Sequence, residues 1–104
     1  MADLSQDQWY DQLTKDENSV VLDVRTLEEV EQGIIPNAKH LDIYQGQAFI
    51  DALKQLDTSK SYYVYCRSGA RSGQACAIMN QLGFEKAYNL KGGIIEWKGE
   101  IVSH

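Results

Sequence analysis

The segment Cys66-Arg67-Ser68-Gly69-Ala70-Arg71 gathers one of the chain's two cysteines and two of its three arginines into a single short stretch. A thiol acts as a nucleophile only once ionised, and nearby cations, backbone NH groups and a helix N-terminus all favour the ionised form. Arg67 and Arg71 supply the cations, and a helix is expected to start near Ser72. Gly69 lets the backbone take a positive φ, so that successive NH groups can turn inward as an anion-binding nest. Ser68 and Ser72 can add hydroxyl donors, although serines also serve tight turns and helix N-caps for purely structural reasons. The pattern reads as a cradle for negative charge with Cys66 as its nucleophile. The competing reading makes Cys66 a small hydrophobe that ends a buried strand. Cys76 lies beside apolar residues of the following helix and reads as core, with a resolving thiol as the alternative.

Such a loop needs a strand to deliver it and a helix to leave it. Tyr62-Tyr63-Val64-Tyr65 is a strand by its aromatic and β-branched content. Beyond the loop, Ala75, Ile78, Met79 and Leu82 form a helical stripe that stops at Gly83. The cysteine therefore sits at the carboxyl end of a strand, where open α/β sheets bind ligands because the next helix aims its positive N-terminus there.

The rest of the chain alternates in the same way. Ser5 and Gln8 form a capping box for a helix over about 6 to 15, with Trp9, Tyr10 and Leu13 on one stripe. Val20 to Val24 is a short, nearly all-apolar run, as expected of a strand buried on both faces. Thr26 and Glu29 make a second capping box, and Gly33 and Pro36 close that short helix. A weaker strand pattern spans Ala38 to Ile43. Phe49, Ile50, Leu53 and Leu56 mark an amphipathic helix with Asp57-Thr58-Ser59-Lys60 as its exit turn. Lys86 to Leu90 reads as the last strand, and Gly92-Gly93 leads into a short helix carrying Trp97. Alternation of this kind predicts an α/β layer structure with a mostly parallel sheet.

At 104 residues the chain is about the size of one domain, residues 1–104. Hydrophobic residues make up 43% and charged ones 24%, the balance of an ordinary globular protein able to bury a core without staples. The apolar runs are far too short to span a bilayer, which predicts no membrane partner. A net charge of −5 argues against non-specific nucleic-acid binding, which depends on neutralising phosphates. His40 and His104 stand in no zinc-like spacing, so no metal is expected, and no cofactor motif occurs. Two cysteines and an N-terminus without a basic start and apolar stretch suit reduced thiols and a cytoplasmic protein. No exposed apolar stripe is left over, so a monomer is expected.

On four fragments, in order, the chain resembles a single-domain rhodanese. They are Leu22-Asp23-Val24-Arg25-Thr26 with Glu28 and Glu29; Gly33-Ile34-Ile35-Pro36-Asn37-Ala38; Tyr65-Cys66-Arg67-Ser68-Gly69-Ala70-Arg71-Ser72; and Asn89-Leu90-Lys91-Gly92-Gly93 before Trp97. The resemblance implies an α/β/α sandwich around a five-stranded, mainly parallel sheet. It also implies a sulfurtransferase, in which the Cys66 thiolate takes the outer sulfur of a small anionic donor such as thiosulfate. The resulting persulfide passes its sulfur to a thiophilic acceptor: cyanide, a thiol or a protein cysteine. In that scheme the NH groups of residues 67 to 71 hold the persulfide charge, and Arg67 and Arg71 attract and orient the donor. Asp23 and Arg25 are expected to lock the neighbouring strand end, with Arg25 pairing with Glu28 or Glu29. The chain departs from many relatives in having Ile34 for histidine, Asn37 for glycine and Ile94 for an aromatic residue.

Two other readings compete. Phosphatases and arsenate reductases use a similar cysteine loop but resemble Cys-x5-Arg, whereas Cys66 to Arg71 is Cys-x4-Arg, a narrower cradle. A non-catalytic rhodanese-like module would serve as a regulatory or protein-binding domain, and such modules commonly lack the cysteine that this chain keeps.

Overall fold

In the computed structural model, which describes residues 2–104, the chain runs β1 (Ala2–Leu4), α1 (Gln6–Lys15), β2 (Ser19–Asp23), α2 (Leu27–Val30) and β3 (Lys39–His40). It continues through a 3-10 turn (Ile43–Gln45), α3 (Gln47–Lys54), β4 (Ser61–Tyr65), α4 (Ala70–Gln81), β5 (Ala87–Leu90) and a second 3-10 turn (Ile94–Glu96). The five strands form one parallel sheet in the order β1-β5-β4-β2-β3.

Residue alternation along the central strands sorts the core into two layers. Tyr62, Val64 and Cys66 point to one face with Leu22 and Val24, where they meet Phe49 and Leu53 of α3 and Ala75, Cys76 and Met79 of α4. Tyr63 and Tyr65 point to the other, with Val21 and Leu90, and pack against Trp9 of α1. All five residues of β4 are buried, which is why its sequence carries no polar face. Helices thus cover both faces, the α/β/α sandwich expected from the resemblance.

Both expected capping boxes form: Ser5 with Gln8 at α1, and Thr26 with Glu29 at α2. Three expectations need correction. The fifth strand is Ala2–Leu4, a three-residue edge piece paired with β5 and too short to show any periodicity. The strand expected over Ala38 to Ile43 shrinks to Lys39–His40, because Asp42 accepts from the Tyr44 NH and turns the chain into a 3-10 turn. Trp97 ends the last 3-10 turn in extended conformation instead of riding on a helix.

Beyond its carboxyl end, β2 leads the chain toward β3, whereas β4 leads it the opposite way toward β5. The crevice between these two strand ends is the sheet's topological switch point, and the loops after β2 and β4 meet there.

Candidate functional site

The loop Cys66 to Gly69 leaves β4 at this crevice. Gly69 takes φ 102 and caps α4, which begins at Ala70, two residues earlier than the sequence suggests. That tight turn brings the Gly69 NH to 3.1 Å from Cys66 Sγ, and the Ser72 hydroxyl lies 3.3 Å from the same sulfur. Burial opposes ionisation of the thiol. Hydrogen bonds from the Ser72 hydroxyl and from the Ser72, Gly69 and Ser68 NH groups outweigh it and hold Cys66 below the ordinary thiol value. Cys76 is the opposite case: burial among apolar side chains pushes its thiol up to about 12. One cysteine is set up to ionise and the other to stay neutral.

The loop's carbonyls are secured on its outer side. The Ile94 NH donates to the Cys66 carbonyl at 3.0 Å and the Ile95 NH to the Arg67 carbonyl at 3.1 Å, so the turn after Gly93 backs the loop and leaves its NH groups for the sulfur. This contact requires glycine. A Cβ on Gly93 would lie 2.2 Å from the Arg67 carbonyl oxygen and 2.6 Å from the Ser68 nitrogen, backbone atoms that no rotamer change can move aside, and φ is already 63. Gly93→Ala is expected to cost about 2 kcal/mol from overpacking, seen in thermal unfolding as a fall in Tm of about 10 °C.

The two loop arginines differ in circumstance. Arg71 forms a bidentate pair with Glu29, at 2.7 and 2.8 Å, and its guanidinium lies over the Tyr44 ring. Its charge is therefore partly spoken for, a change from the expectation that it is free for a donor. Arg67 is exposed, and its side chain has no ion-pair partner among the described residues. Ser68 and Ala70 are also exposed.

Glu29 does two jobs, capping α2 and anchoring the loop across the crevice. The hydrogen bond from Arg71 is the main cause that holds its carboxyl down at about 2, against burial, with Thr26 assisting. A depressed carboxyl stabilises the fold above its unfolded value of 4.5, and that contribution is lost as pH falls toward 2. Wild type should therefore exceed Glu29→Gln in stability at neutral pH. Thermal unfolding across a pH series should show the two converging as pH drops from 4.5 to about 2. A gap that persists in acid would mean the ion pair is not its source.

Asp23 and Arg25 lie beneath the crevice, both buried. Arg25 was expected to pair with Glu28 or Glu29. Instead its guanidinium grips Asp23 two residues back, with Nε to Oδ1 at 3.0 Å and Nη2 to Oδ2 at 2.7 Å, and gives a third bond to the Gly33 carbonyl. Glu29 is taken by Arg71, so the nearer acid wins Arg25. The Tyr65 hydroxyl accepts from the Ile35 NH at 3.0 Å, and Arg25 lies over the Tyr65 ring. These contacts clamp the residue just before Cys66.

Sequence reasoning missed Asn89. It lies on β5 opposite Val64, nearly fully buried, and bonds Ser72, Gly69 and Asp3. The available signal was a polar residue at a strand position whose period-2 neighbour, Ala87, faces the core.

Cys66 itself has no exposed surface. A cleft of about 1130 Å³ lies on the α1 side, between α1, the Ile35–Asn37 turn and residues 97–100, and touches none of the loop. The site is a backbone nest closed around the sulfur. Among the described residues no group of three or more His, Cys, Asp or Glu side chains could hold a metal, and no helix is long and apolar enough to cross a membrane.

A parallel α/β/α sheet with an anion nest around a cysteine at its switch point defines a small class of proteins, and comparison with known sequences places this chain within it. The model of the rhodanese-like domain family matches residues 6–100, and the chain belongs to that family. A sulfurtransferase of Allochromatium vinosum is 39% identical over 85 residues, covering 82% of this chain and 77% of that one. The crystal structure of a rhodanese-like domain protein from Staphylococcus aureus superposes with a TM-score of 0.84 at 28% identity, covering 100% of this chain and 99% of that one. A tRNA uridine(34) hydroxylase of Cytophaga hutchinsonii is 38% identical over 80 residues, 75% of this chain but 26% of the larger protein.

Proposed function

We propose that this protein is a sulfurtransferase that carries sulfane sulfur on Cys66 as a persulfide. The observation that carries the reading is the setting of the Cys66 sulfur, which takes the Gly69 NH at 3.1 Å and the Ser72 hydroxyl at 3.3 Å, hydrogen bonds that favour the thiolate against burial. The Cys66 thiolate attacks the outer sulfur of a donor such as thiosulfate. The new Sγ–S bond forms as the donor's S–S bond breaks, and the electron pair leaves with sulfite. The charge now on the outer sulfur is held by the NH groups of residues 67 to 71, which act for sulfur as an oxyanion hole acts for oxygen. An acceptor thiolate or cyanide then attacks that outer sulfur and regenerates the Cys66 thiolate, so the kinetics are ping-pong. The two half-reactions balance as written without a cofactor or metal.

Arg67 is the group that draws in the anionic donor, because Arg71 is shared with Glu29. Arg67→Ala should lower the rate constant for thiosulfate severalfold at low ionic strength, with the gap narrowing as salt screens the charge. A salt-independent defect would point to loop distortion instead.

The deciding experiment is to incubate the reduced protein with thiosulfate and measure its intact mass, expecting the gain of one sulfur atom. An unchanged mass with several sulfane donors overturns the reading. Hydrolysis of an aryl phosphate that depends on Cys66 would replace it with the phosphatase reading.

A further inference from the structure

The Ser72 hydroxyl faces two acceptors at once. Its Oγ lies 3.3 Å from Cys66 Sγ and within hydrogen-bond distance of Asn89 Oδ1. A serine hydroxyl carries one hydrogen, so it serves one of them at a time. The orientation of the Asn89 amide follows from its other end. Nδ2 donates to Asp3 Oδ1 at 2.8 Å and to the Gly69 carbonyl at 3.1 Å, and both partners can only accept. With both amide hydrogens committed there, the atom facing Ser72 is the amide oxygen, which can only accept as well. Ser72 and Cys66 are 0% exposed and Asn89 4%, so bulk water cannot supply a substitute donor.

We propose that Asn89 is a positioning residue for Cys66: it holds the single Ser72 hydrogen while the sulfur is neutral and yields it when negative charge builds on Sγ. The proposal deepens the persulfide reading and rests on it. In the neutral thiol, S–H donates to Ser72 Oγ while the hydroxyl hydrogen goes to Asn89. Ionisation turns that hydrogen onto the thiolate and leaves Asn89 Oδ1 unserved. Attack on a sulfane donor moves the charge to the outer sulfur, Sγ becomes neutral, and the hydroxyl swings back to Asn89. Delivery to the acceptor returns the charge to Sγ and repeats the turn. The hydroxyl is thus a rotor with two stops, and Asn89 sets how readily it leaves the first.

The charged and titratable groups around the cluster are Asp3 on β1, Arg71 and Cys76 on α4, and Glu29 and Tyr44 against Arg71. None of these donates or accepts the shared hydrogen, so the effect of Asn89 should act through Ser72 alone.

The test is a double-mutant cycle read by the pH dependence of alkylation mapped to Cys66. Asn89→Leu gives the Ser72 hydrogen to the sulfur permanently, and the Cys66 titration midpoint should fall by about one pH unit, about tenfold more thiolate at a fixed acidic pH. In a Ser72→Ala background the same substitution should leave the midpoint unmoved. An equal shift in both backgrounds would mean that Asn89 merely shapes the loop through Gly69, and an upward or absent shift with Ser72 present would equally sink the proposal. Should Asn89→Leu fail to fold, the Asn89 side-chain amide resonances are followed through the Cys66 titration instead. They should respond strongly in wild type and much less in Ser72→Ala, and equal responses overturn the idea. Neither readout requires sulfur transfer, so a protein that gains no sulfur from several sulfane donors would refute the proposed function while leaving this coupling to be judged separately.

Discussion

Cys66→Ser should gain no sulfur from thiosulfate and should transfer none to cyanide, whereas Cys76→Ser should do both. The contrast follows from the surroundings of the two thiols. Cys66 receives hydrogen bonds from the Gly69 NH and the Ser72 hydroxyl, while Cys76 is pushed up to about 12 by burial and stays protonated at neutral pH. A serine oxygen at position 66 would accept the same bonds but ionises far less readily than sulfur and forms no persulfide. Because those donors remain satisfied, Cys66→Ser should fold, and its thermal unfolding should stay close to that of wild type. Intact mass after thiosulfate, with and without cyanide, reads the outcome. A sulfur adduct on Cys66→Ser would move the chemistry to Cys76 and dismantle the proposed site.

The largest effect on stability is expected from Arg25→Ala. Asp23 is fully buried, and Arg25 meets both of its carboxylate oxygens while also bonding the Gly33 carbonyl. Removing the guanidinium leaves a carboxylate in the interior without its counter-charge, a loss of about 3–5 kcal/mol. For a chain of this size that corresponds to a Tm lower by about 20 °C. Adding Asp23→Asn should recover part of the loss, since it removes the uncompensated charge while keeping the shape. If Arg25→Ala melts within a few degrees of wild type, the pair is not the brace that the geometry describes. The contribution of the pair is conditional: desolvation opposes the Arg25 charge, and Asp23 does most to overcome it, with Tyr65 and Glu29 assisting.

The order of the elements and the location of the reactive loop were legible in the sequence because both rest on local signals. Apolar periodicity marked α1, α3 and α4, the run at Val20 to Val24 marked a central strand, and two capping boxes fixed helix starts that the structure reproduces. What escaped depends on residues distant in the chain. Strand β1 exists only because β5 offers it an edge, and three residues carry no pattern of their own. Arg71 and Glu29 are brought together by the switch point, and no spacing rule connects positions so far apart. Arg25 was assigned to Glu28 or Glu29, and the removal of Glu29 from that pair of candidates depends on Arg71, 42 residues from it in the chain. Asn89 carried a legible hint, polarity at a core-facing strand position, but the hydroxyl that it contacts comes from another element.

The hydrogen bonds to the Cys66 sulfur come mostly from main chain, with Ser72 as the one side chain among the described residues that donates to it. Arg67, Ser68 and Ala70 meanwhile turn their side chains to solvent. The parts that do the chemistry and the parts that meet a visitor are therefore separately mutable, although they alternate along one short loop. A lineage or an engineer can rewrite those three outward positions to court a different sulfur donor or acceptor without rebuilding the reactive centre. Diversity in such a protein should accumulate at its doorway while the hearth stays the same.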